Sequence, residues 1–198
     1  MSQYKLTYFN GRGRAELIRL ILAQAGVQYE DHRIAGEEWP ELKPTTPFGC
    51  LPILEVDGKT LGGSAPIAVF VAQRHGLAGA NDFENAEIGG IMDYMFDLML
   101  GFMTMHFEKD ETRKAALKKK FEEEDCPKKL AVLEKKVTND GWLYGSKVTY
   151  VDLAFFNFSE RFPSEVLAKL PGLKGVIDKV GALPNIAKWV KDRPETKF

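Results

Sequence analysis

The N-terminal part of the chain switches between two hydrophobic periods. Residues Tyr4–Phe9 alternate in polarity and are rich in aromatic side chains, which predicts a β-strand that ends at the Asn10–Gly13 turn. The apolar residues of Arg14–Ala25 recur at helical spacing, and Gly26 stands where a helix C-terminus favours glycine. Residues Val27–Ile34 predict a second strand. This strand–helix–strand order requires that the two strands pair in parallel.

A proline-rich segment, Ala35–Gly49, follows the second strand. Because long loops inside compact domains are usually functional, we interpret it as a functional loop. After it, Leu51–Val56 and Lys59–Leu61 predict two antiparallel strands, and the Asp57-Gly58 pair between them favours a tight hairpin turn.

Ser64 is predicted to cap a helix that runs to His75. The resulting order, β-α-β, loop, β-β-α, predicts a four-stranded mixed sheet in a thioredoxin-like α/β domain. The composition shifts to glycine, alanine and polar residues at Gly76–Asp82, and no strand pattern follows. We therefore predict an α/β domain at residues 1–79 and an all-α domain at residues 83–198.

The predicted helical domain combines a long apolar pattern with one strong start signal. Residues Asp110–Val137 predict a helix in which Pro127 causes a kink or break. Thr149 and Asp152 form a capping box in front of a buried helix, and further breaks are expected at later prolines. Apolar residues at three- and four-residue steps predict a long first helix: Ile88, Ile91, Met92, Met95, Phe96, Met99, Phe102 and Met103. These methionines fit core packing or an adaptable pocket for an apolar second substrate.

Composition and charge narrow the class of protein. The chain has 198 residues, 44% hydrophobic and 28% charged, as in ordinary globular proteins. A net charge of −1 offers no field for nucleic acid, so no nucleic-acid partner is expected. No signal peptide and no apolar run long enough for membrane insertion are present, which favours a cytoplasmic location. Cys50 and Cys126 lack metal-ligand spacing, so no metal is expected.

The Leu51-Pro52 pair is a candidate for main-chain recognition of a peptide. A proline directly before a strand in a tight turn is a candidate cis peptide, which would free the Leu51 main chain to pair with an extended ligand. Ser64 and the first amides of the following helix would offer hydrogen bonds to a carboxylate. Trp39 and Lys43 could hold a second carboxylate. The predicted ligand is a short peptide that is negatively charged at both ends.

Tyr8, at the end of the first strand, is the candidate catalytic residue. A phenol that donates a hydrogen bond to a bound thiol favours the thiolate, which lowers the thiol pKa and makes the sulfur a nucleophile near neutral pH. Arg14, near the start of the first helix, could reinforce the field at the sulfur. Taken singly, a tyrosine at a strand end is usually part of the core, so the prediction depends on the combination of residues.

Three sequence blocks carry a resemblance to a known family. The chain resembles the sigma class of cytosolic glutathione transferases, a group that includes haematopoietic prostaglandin D synthase and the cephalopod lens S-crystallins. The resemblance covers essentially the whole chain and implies a homodimer whose active sites lie at the subunit boundary. The blocks are YKLTYFNGRGRAE at Tyr4–Glu16, PFGCLPIL at Pro47–Leu54 and WVKDRP at Trp189–Pro194.

The resemblance also implies roles for individual residues. Tyr8 would activate the thiol of reduced glutathione, the co-substrate, with Arg14 as its catalytic neighbour, and an apolar electrophile would be the second substrate. Asp97 would reach the ligand amine from the partner subunit. The implied glutathione-binding positions are Tyr8, Trp39, Lys43, Cys50, Leu51, Pro52, Gly63, Ser64 and Asp97.

At two of these positions the chain departs from the family. The family usually has glutamine or lysine where this chain has Cys50, and glutamine where it has Gly63. Losing the glutamine side chain removes a contact to the γ-glutamyl end, with a cost of roughly 1–3 kcal/mol if the group that it met stays buried.

Two functions therefore stay open at the level of sequence. The first is a detoxifying transferase that conjugates glutathione to an apolar electrophile, or a related glutathione-dependent isomerase. The alternative is an S-crystallin-like structural or binding protein with a weakened site. The identity of the electrophile, including a prostaglandin, is open because apolar residues of mixed origin build such a pocket.

Overall fold

A mixed four-stranded sheet forms the centre of the N-terminal region. The computed structural model describes residues 3–196. Its strands are β1 (Tyr4–Phe9), β2 (Glu30–Ile34), β3 (Ile53–Val56) and β4 (Lys59–Gly62), in the order β2-β1-β3-β4. β1 pairs with β2 in parallel, and the β1–β3 and β3–β4 pairs are antiparallel. The predicted sheet is confirmed, although the second and third strands begin later than predicted.

Helix α1 (Glu16–Gln24) connects the parallel strands and buries an apolar face. A single 3₁₀ turn, Gly13–Ala15, precedes it, so the predicted helix begins with a tighter turn. Leu17, Ile18 and the following apolar residues are buried. Gly26 has φ +67°, the left-handed conformation that ends helices and that glycine adopts at little cost.

The segment after β2 is helical in short pieces and is not the irregular loop that the sequence predicted. A 3₁₀ turn at Gly36–Glu38, helix α2 (Trp39–Leu42) and a 3₁₀ turn at Lys43–Thr45 follow each other. Prolines stand at the first positions of the last two pieces, where a missing N–H costs nothing. The Ala35 N–H donates to a Glu38 carboxylate oxygen over 2.7 Å, which starts the first turn.

Helix α3 (Ser64–Arg74) follows the hairpin. Asp57 and Gly58 both have positive φ, at 49° and 76°, which confirms the predicted tight turn. The prediction that Ser64 caps α3 was wrong, because Gly63 is the N-cap residue and Ser64 is the first helical residue. Gly63 has φ +91°, and this conformation lets the chain turn directly from β4 into the helix.

Two compact units divide the chain by contact. The first contains the residues up to Ala78 together with those from Leu183 onward, and the second contains Gly79–Ala182. Helix α10 (Pro184–Asp192) packs on α1, within the first unit. The predicted domain bounds, residues 1–79 and 83–198, stay a prediction.

The regular elements of the second unit, Gly79–Ala182, are helices joined by turns and irregular segments. Helices α4 (Asp82–Phe107), α5 (Glu111–Lys120) and α6 (Cys126–Glu134) come first. A π-helical segment, Phe121–Asp125, joins α5 to α6 without a gap in the helical backbone, so Pro127, predicted to cause a kink or break, lies in the first turn of α6. The Cys126 N–H bonds to the Phe121 carbonyl, which widens the helix by one residue just before the proline.

Helix α7 (Tyr150–Ser159) lies in the core of the second unit, followed by α8 (Ser164–Leu167) and α9 (Pro171–Gly181). The predicted capping box is confirmed: Asp152 accepts hydrogen bonds from the Thr149 N–H over 2.7 Å and from the Thr149 hydroxyl over 2.9 Å. Within residues 3–196 no helix is both long and apolar enough to span a membrane, and no group of three metal-ligating side chains occurs.

Candidate functional site

The turn between β1 and α1 brings the Tyr8 hydroxyl to the start of the helical turn. The Arg14 N–H donates a hydrogen bond to the Tyr8 oxygen over 3.2 Å. A hydroxyl can accept this bond and still donate its own proton to another group. The phenolic proton of Tyr8 therefore stays available for donation to another group. The Arg14 side chain is exposed, and its main chain makes the contact with Tyr8.

Gly13 leaves the space that the Tyr8 side chain occupies, and the sequence pattern did not predict this role. A Cβ atom at Gly13 would lie 2.5 Å from the Tyr8 oxygen and 2.9 Å from Cε1 of the ring. Gly13 also has φ +39°, so both its space and its backbone favour glycine. The signal in the sequence was the second glycine of the turn, but its meaning depends on where the Tyr8 ring lies.

An apolar cluster gathers several of the predicted site residues. Ile34, Leu51 and Ile53 are buried, and Tyr8, Phe9, Trp39 and Leu42 pack against them. The Phe9 ring contacts both aromatic site residues edge to face, with centroids 5.7 Å from Tyr8 and 5.6 Å from Trp39. The structure thus brings Tyr8, Trp39 and Leu51 together.

The predicted cis peptide is confirmed at Leu51–Pro52. Leu51 precedes β3 and lies outside the ladder of paired strand residues. The Gly63 N–H donates to the Pro52 carbonyl over 3.3 Å, so the turn before β3 and the start of α3 are neighbours. Ser64, the first residue of α3, is half-buried beside them.

Lys43 and Cys50 stand at the end of the short helical pieces. Gly49 has φ +62°, and a Cβ atom there would lie 3.7 Å from Cε of Lys43, so the lysine side chain passes close to the residue before Cys50. The Lys43 side chain and Cys50 are exposed, and Cys50 is a free cysteine.

Asp97 belongs to the second unit, on α4. Its carboxylate is 66% exposed and lies 3.5 Å from the Lys129 ammonium of α6. The same ammonium stands 4.9 Å from the centroid of the Tyr94 ring. Asp97 thus forms an exposed ion pair with a neighbouring helix.

A buried set of charged residues lies behind Tyr8, and the sequence pattern did not predict it. Arg19 and Glu16 are fully buried in the otherwise apolar helix α1, and Arg19 Nε donates to Asp31 over 3.0 Å. Burial, followed by the charge of Asp31, raises the pKa of the nearby Tyr29 hydroxyl above its ordinary value of 10.0. The available signal was an arginine and a glutamate inside the helix, since such residues are almost never fully buried unless paired.

Comparison with known proteins gives the same family along the whole chain. Residues 4–73 match the glutathione S-transferase N-terminal domain model and residues 96–193 the C-terminal domain model. The chain is 40% identical to the hematopoietic prostaglandin D synthase of Gallus gallus, with 99% of each chain covered. It is also 40% identical to glutathione S-transferase 1 of Ascaris suum, with both chains covered completely.

The fold agrees with these relatives. The structure of a Nu-class glutathione transferase from Haemonchus contortus superimposes with a TM-score of 0.92 at 38% identity, and the match covers 100% of both chains. Sequence and structure thus agree from β1 to α10. Because both family domains are present, this chain belongs to the glutathione S-transferase family.

Proposed function

We propose that the protein binds reduced glutathione in the first unit and activates its thiol with Tyr8. The observation that carries this proposal is the hydrogen bond from the Arg14 N–H to the Tyr8 oxygen. Because that bond fixes the oxygen as an acceptor, the phenolic proton is directed to a different partner, and the polarised O–H is a stronger donor. A glutathione sulfur in that position would be stabilised as a thiolate, which lowers its pKa.

Main-chain groups provide the proposed peptide cradle. Leu51, which lies outside the strand ladder, would pair with the cysteinyl residue of glutathione as a short antiparallel strand. Ser64 and the first amides of α3 would bind the γ-glutamyl carboxylate at the positive end of the helix. Lys43 and the indole of Trp39 would bind the glycyl carboxylate. Pro52 and Cys50 would border the cradle.

Gly63 supports a cradle that depends on main-chain contacts. Its φ of +91° lies in a region that residues with a side chain rarely adopt, so glycine relieves strain where the family usually has glutamine. The missing side chain removes a ligand contact, but the Gly63 N–H still holds the Pro52 carbonyl. We therefore expect weaker binding of glutathione and unchanged chemistry.

The proposed reaction is attack by the thiolate on an apolar electrophile. The sulfur forms a bond to the electrophilic carbon, and the leaving group departs with the electrons of the bond that breaks, while the thiol proton goes to solvent. Half-buried Phe102, Met103 and Met105 near the end of α4 support an apolar second substrate. Relatives named prostaglandin D synthase support glutathione-dependent isomerisation as a second reaction to assay.

We also propose a sigma-class homodimer. Phe48 follows the short helical pieces and is 74% exposed, so its ring is accessible to a second subunit. Within this proposal, the exposed Asp97 of the partner subunit would reach the glutathione amine. Family membership supports a cytoplasmic enzyme of detoxification. Sedimentation of the wild type against Phe48→Ser tests the dimer, and a monomeric wild type would contradict it.

The main experiment compares the wild type with Tyr8→Phe during titration with reduced glutathione, followed by thiolate absorbance. We expect both proteins to bind glutathione, but only the wild type to ionise it near neutral pH. Tyr144→Phe removes an exposed hydroxyl in the second unit and should behave like the wild type. Equal ionisation by wild type and Tyr8→Phe would remove Tyr8 from the mechanism.

The S-crystallin-like alternative predicts a different pair of results. Weak retention on immobilised glutathione, together with negligible turnover of a general aryl halide by the wild type, would favour a structural protein. The retained Tyr8, Trp39, Lys43 and Ser64 favour the enzyme.

A further inference from the structure

Arg19 is a fully buried arginine whose contacts lead to the turn that holds Tyr8. Its Nη1 atom donates to the Gly11 carbonyl over 2.7 Å and reaches the Arg12 carbonyl over 3.5 Å. Its guanidinium carbon lies 6.0 Å from the centroid of the Tyr8 ring. One side chain thus contacts the turn and stands beside the phenol.

A second arginine holds the same turn. Arg33 pairs across the sheet with Tyr8 in register and donates to the Asn10 side chain over 3.3 Å. Asp31 bridges the two arginines, since it accepts from Arg19 over 3.0 Å and from Arg33 over 2.8 Å. Arg19 and Arg33 consequently hold successive residues of the turn, and both bind the carboxylate of Asp31.

Glu16 connects Arg19 to the C-terminal segment. One Glu16 oxygen lies 3.4 Å from Arg19, and the other accepts from the Trp189 indole over 2.9 Å and from Arg193 over 3.0 Å. Glu16 is fully buried, so a change at any donor leaves a desolvated carboxylate short of a partner. The charged or titratable residues around Arg19 are Glu16, Asp31, Arg33, Arg193 and Tyr29.

We propose that Arg19 is a positioning residue for the Tyr8 hydroxyl, and that Trp189 and Arg193 fix its orientation through Glu16. The inference rests on the proposed function. A buried guanidinium with three kinds of acceptor is held in one orientation. In that orientation it fixes the turn, and the Arg14 N–H of the same turn orients the phenol. The Nη2 atom of Arg19 is buried without a partner among residues 3–196, so hydrogen bonding alone does not explain this residue.

The test is the pH at which bound glutathione ionises in wild type and in Arg19→Lys. Lysine keeps the charge, but its compact ammonium cannot span the Gly11 carbonyl, Glu16 and Asp31 in the geometry of the planar guanidinium. We expect the midpoint pH of this ionisation to rise by about one unit in Arg19→Lys. At a pH below both midpoints, the variant would then hold about tenfold less thiolate than the wild type. At a pH below both midpoints, where the bound thiol is protonated in either protein, the dissociation constant for glutathione should change by less than about threefold, because Arg19 is fully buried.

A matched control is Arg74→Lys, at the end of α3 in the same unit. Arg74 contacts the Asp57 carboxylate and stands over the Phe70 ring, so its substitution should leave the midpoint at the wild-type value. A folded Arg19→Lys protein with the wild-type midpoint would overturn the inference. A lower melting temperature without a shifted midpoint would assign Arg19 a structural role only, and would overturn it equally.

Trp189→Phe provides a second variant in case Arg19→Lys fails to fold. It removes one hydrogen bond to Glu16 and keeps most of the ring, so the midpoint should rise by less than in Arg19→Lys but in the same direction. An unchanged midpoint in Trp189→Phe would overturn the role of the C-terminal segment.

A readout that needs no glutathione separates this inference from the proposed function. NMR of tyrosine labelled at Cζ reports the hydrogen bonding of each phenol, and Tyr8→Phe assigns the Tyr8 signal among the six tyrosines. We expect that signal to move in Arg19→Lys and not in Arg74→Lys. Failure of the wild type to ionise glutathione would contradict the proposed function alone, whereas an unmoved Tyr8 signal would contradict the role of Arg19 alone.

Discussion

Two glycines of the first unit share a left-handed backbone but differ in their surroundings. Gly13 has φ +39°, and Gly26 has φ +67°. A Cβ atom at Gly13 would overlap the Tyr8 ring and hydroxyl, whereas a Cβ atom at Gly26 would meet nothing within 4 Å. The pair therefore separates the cost of backbone strain from the cost of displacing the phenol.

Gly13→Ala should lower both stability and turnover. The left-handed backbone costs about 1–2 kcal/mol for a residue with a Cβ atom, and the contact of 2.5 Å with the Tyr8 oxygen forces the phenol to move. We expect turnover to fall by at least about tenfold, the effect of a loss of roughly 1.4 kcal/mol in the transition state. Steady-state kinetics with glutathione and an aryl halide, together with thermal melting, measure the two effects.

Gly26→Ala is the control for the backbone. It should destabilise the protein by a similar amount of about 1 kcal/mol and leave turnover unchanged. Equal turnover in the two variants would show that Gly13 does not hold Tyr8.

At the scale of elements, the N-terminus of helix α7 is held by a buried carboxylate. The Asp152 carboxylate accepts from the Thr149 N–H and hydroxyl, and its other oxygen accepts from the Leu143 N–H over 2.7 Å. Burial raises the pKa of Asp152 above its ordinary value, although these donors act in the opposite direction. The side chain joins the helix start to the preceding segment.

Asp152→Asn should destabilise the protein by about 2–3 kcal/mol. The amide nitrogen that replaces one oxygen cannot accept, so it leaves a buried N–H without a partner. Asp110→Asn is the control, because Asp110 caps α5 with a single exposed hydrogen bond to the Arg113 N–H that asparagine can also accept. Denaturant unfolding measures both variants, and equal midpoints would mean that the Asp152 contacts do not contribute.

The elements that could be predicted from sequence are those whose signals lie in neighbouring residues. The capping box at Thr149 and the hairpin at Asp57-Gly58 are local patterns, and both were predicted correctly. The prolines of segment 35–49 predict a loop, but the structure has short helices there because proline also fits the first turn of a helix. Ser64 was misplaced by one residue because Gly63 adopts a positive φ that only the tertiary path reveals.

In the candidate site, too, some features could be predicted from neighbouring residues and others could not. Tyr8 at a strand end and Pro52 before a strand could be placed from their neighbours in sequence. The support of Tyr8 by Gly13 and Arg19 could not, because it depends on how the turn folds back on the ring. The C-terminal partners of Glu16 lie 173 and 177 positions away, beyond the reach of any local pattern.

In the molecule as a whole, helix α10 belongs to the unit that contains the sheet. Ile186 of α10 is fully buried, and α10 packs on α1. Leu173 of α9 is equally buried, but α9 packs on α7 within the second unit. These two residues therefore report on different units.

Ile186→Ala and Leu173→Ala should weaken different parts of the protein. Each removes buried methyl groups at a cost of about 2–5 kcal/mol. In native-state hydrogen exchange, Ile186→Ala should lower the protection of β1 and α1 relative to α7, and Leu173→Ala should do the reverse. Identical protection patterns in the two variants would mean that both units unfold only together.

The return of α10 to the sheet has a consequence for how the protein is made. A ribosome releases β1 to α3 before the second unit and α10 after it, so the first unit lacks α10 while the whole second unit emerges. During that interval the buried carboxylate of Glu16 has no indole or arginine from the C-terminal segment to meet it. The first unit is thus completed only after the whole second unit has been translated.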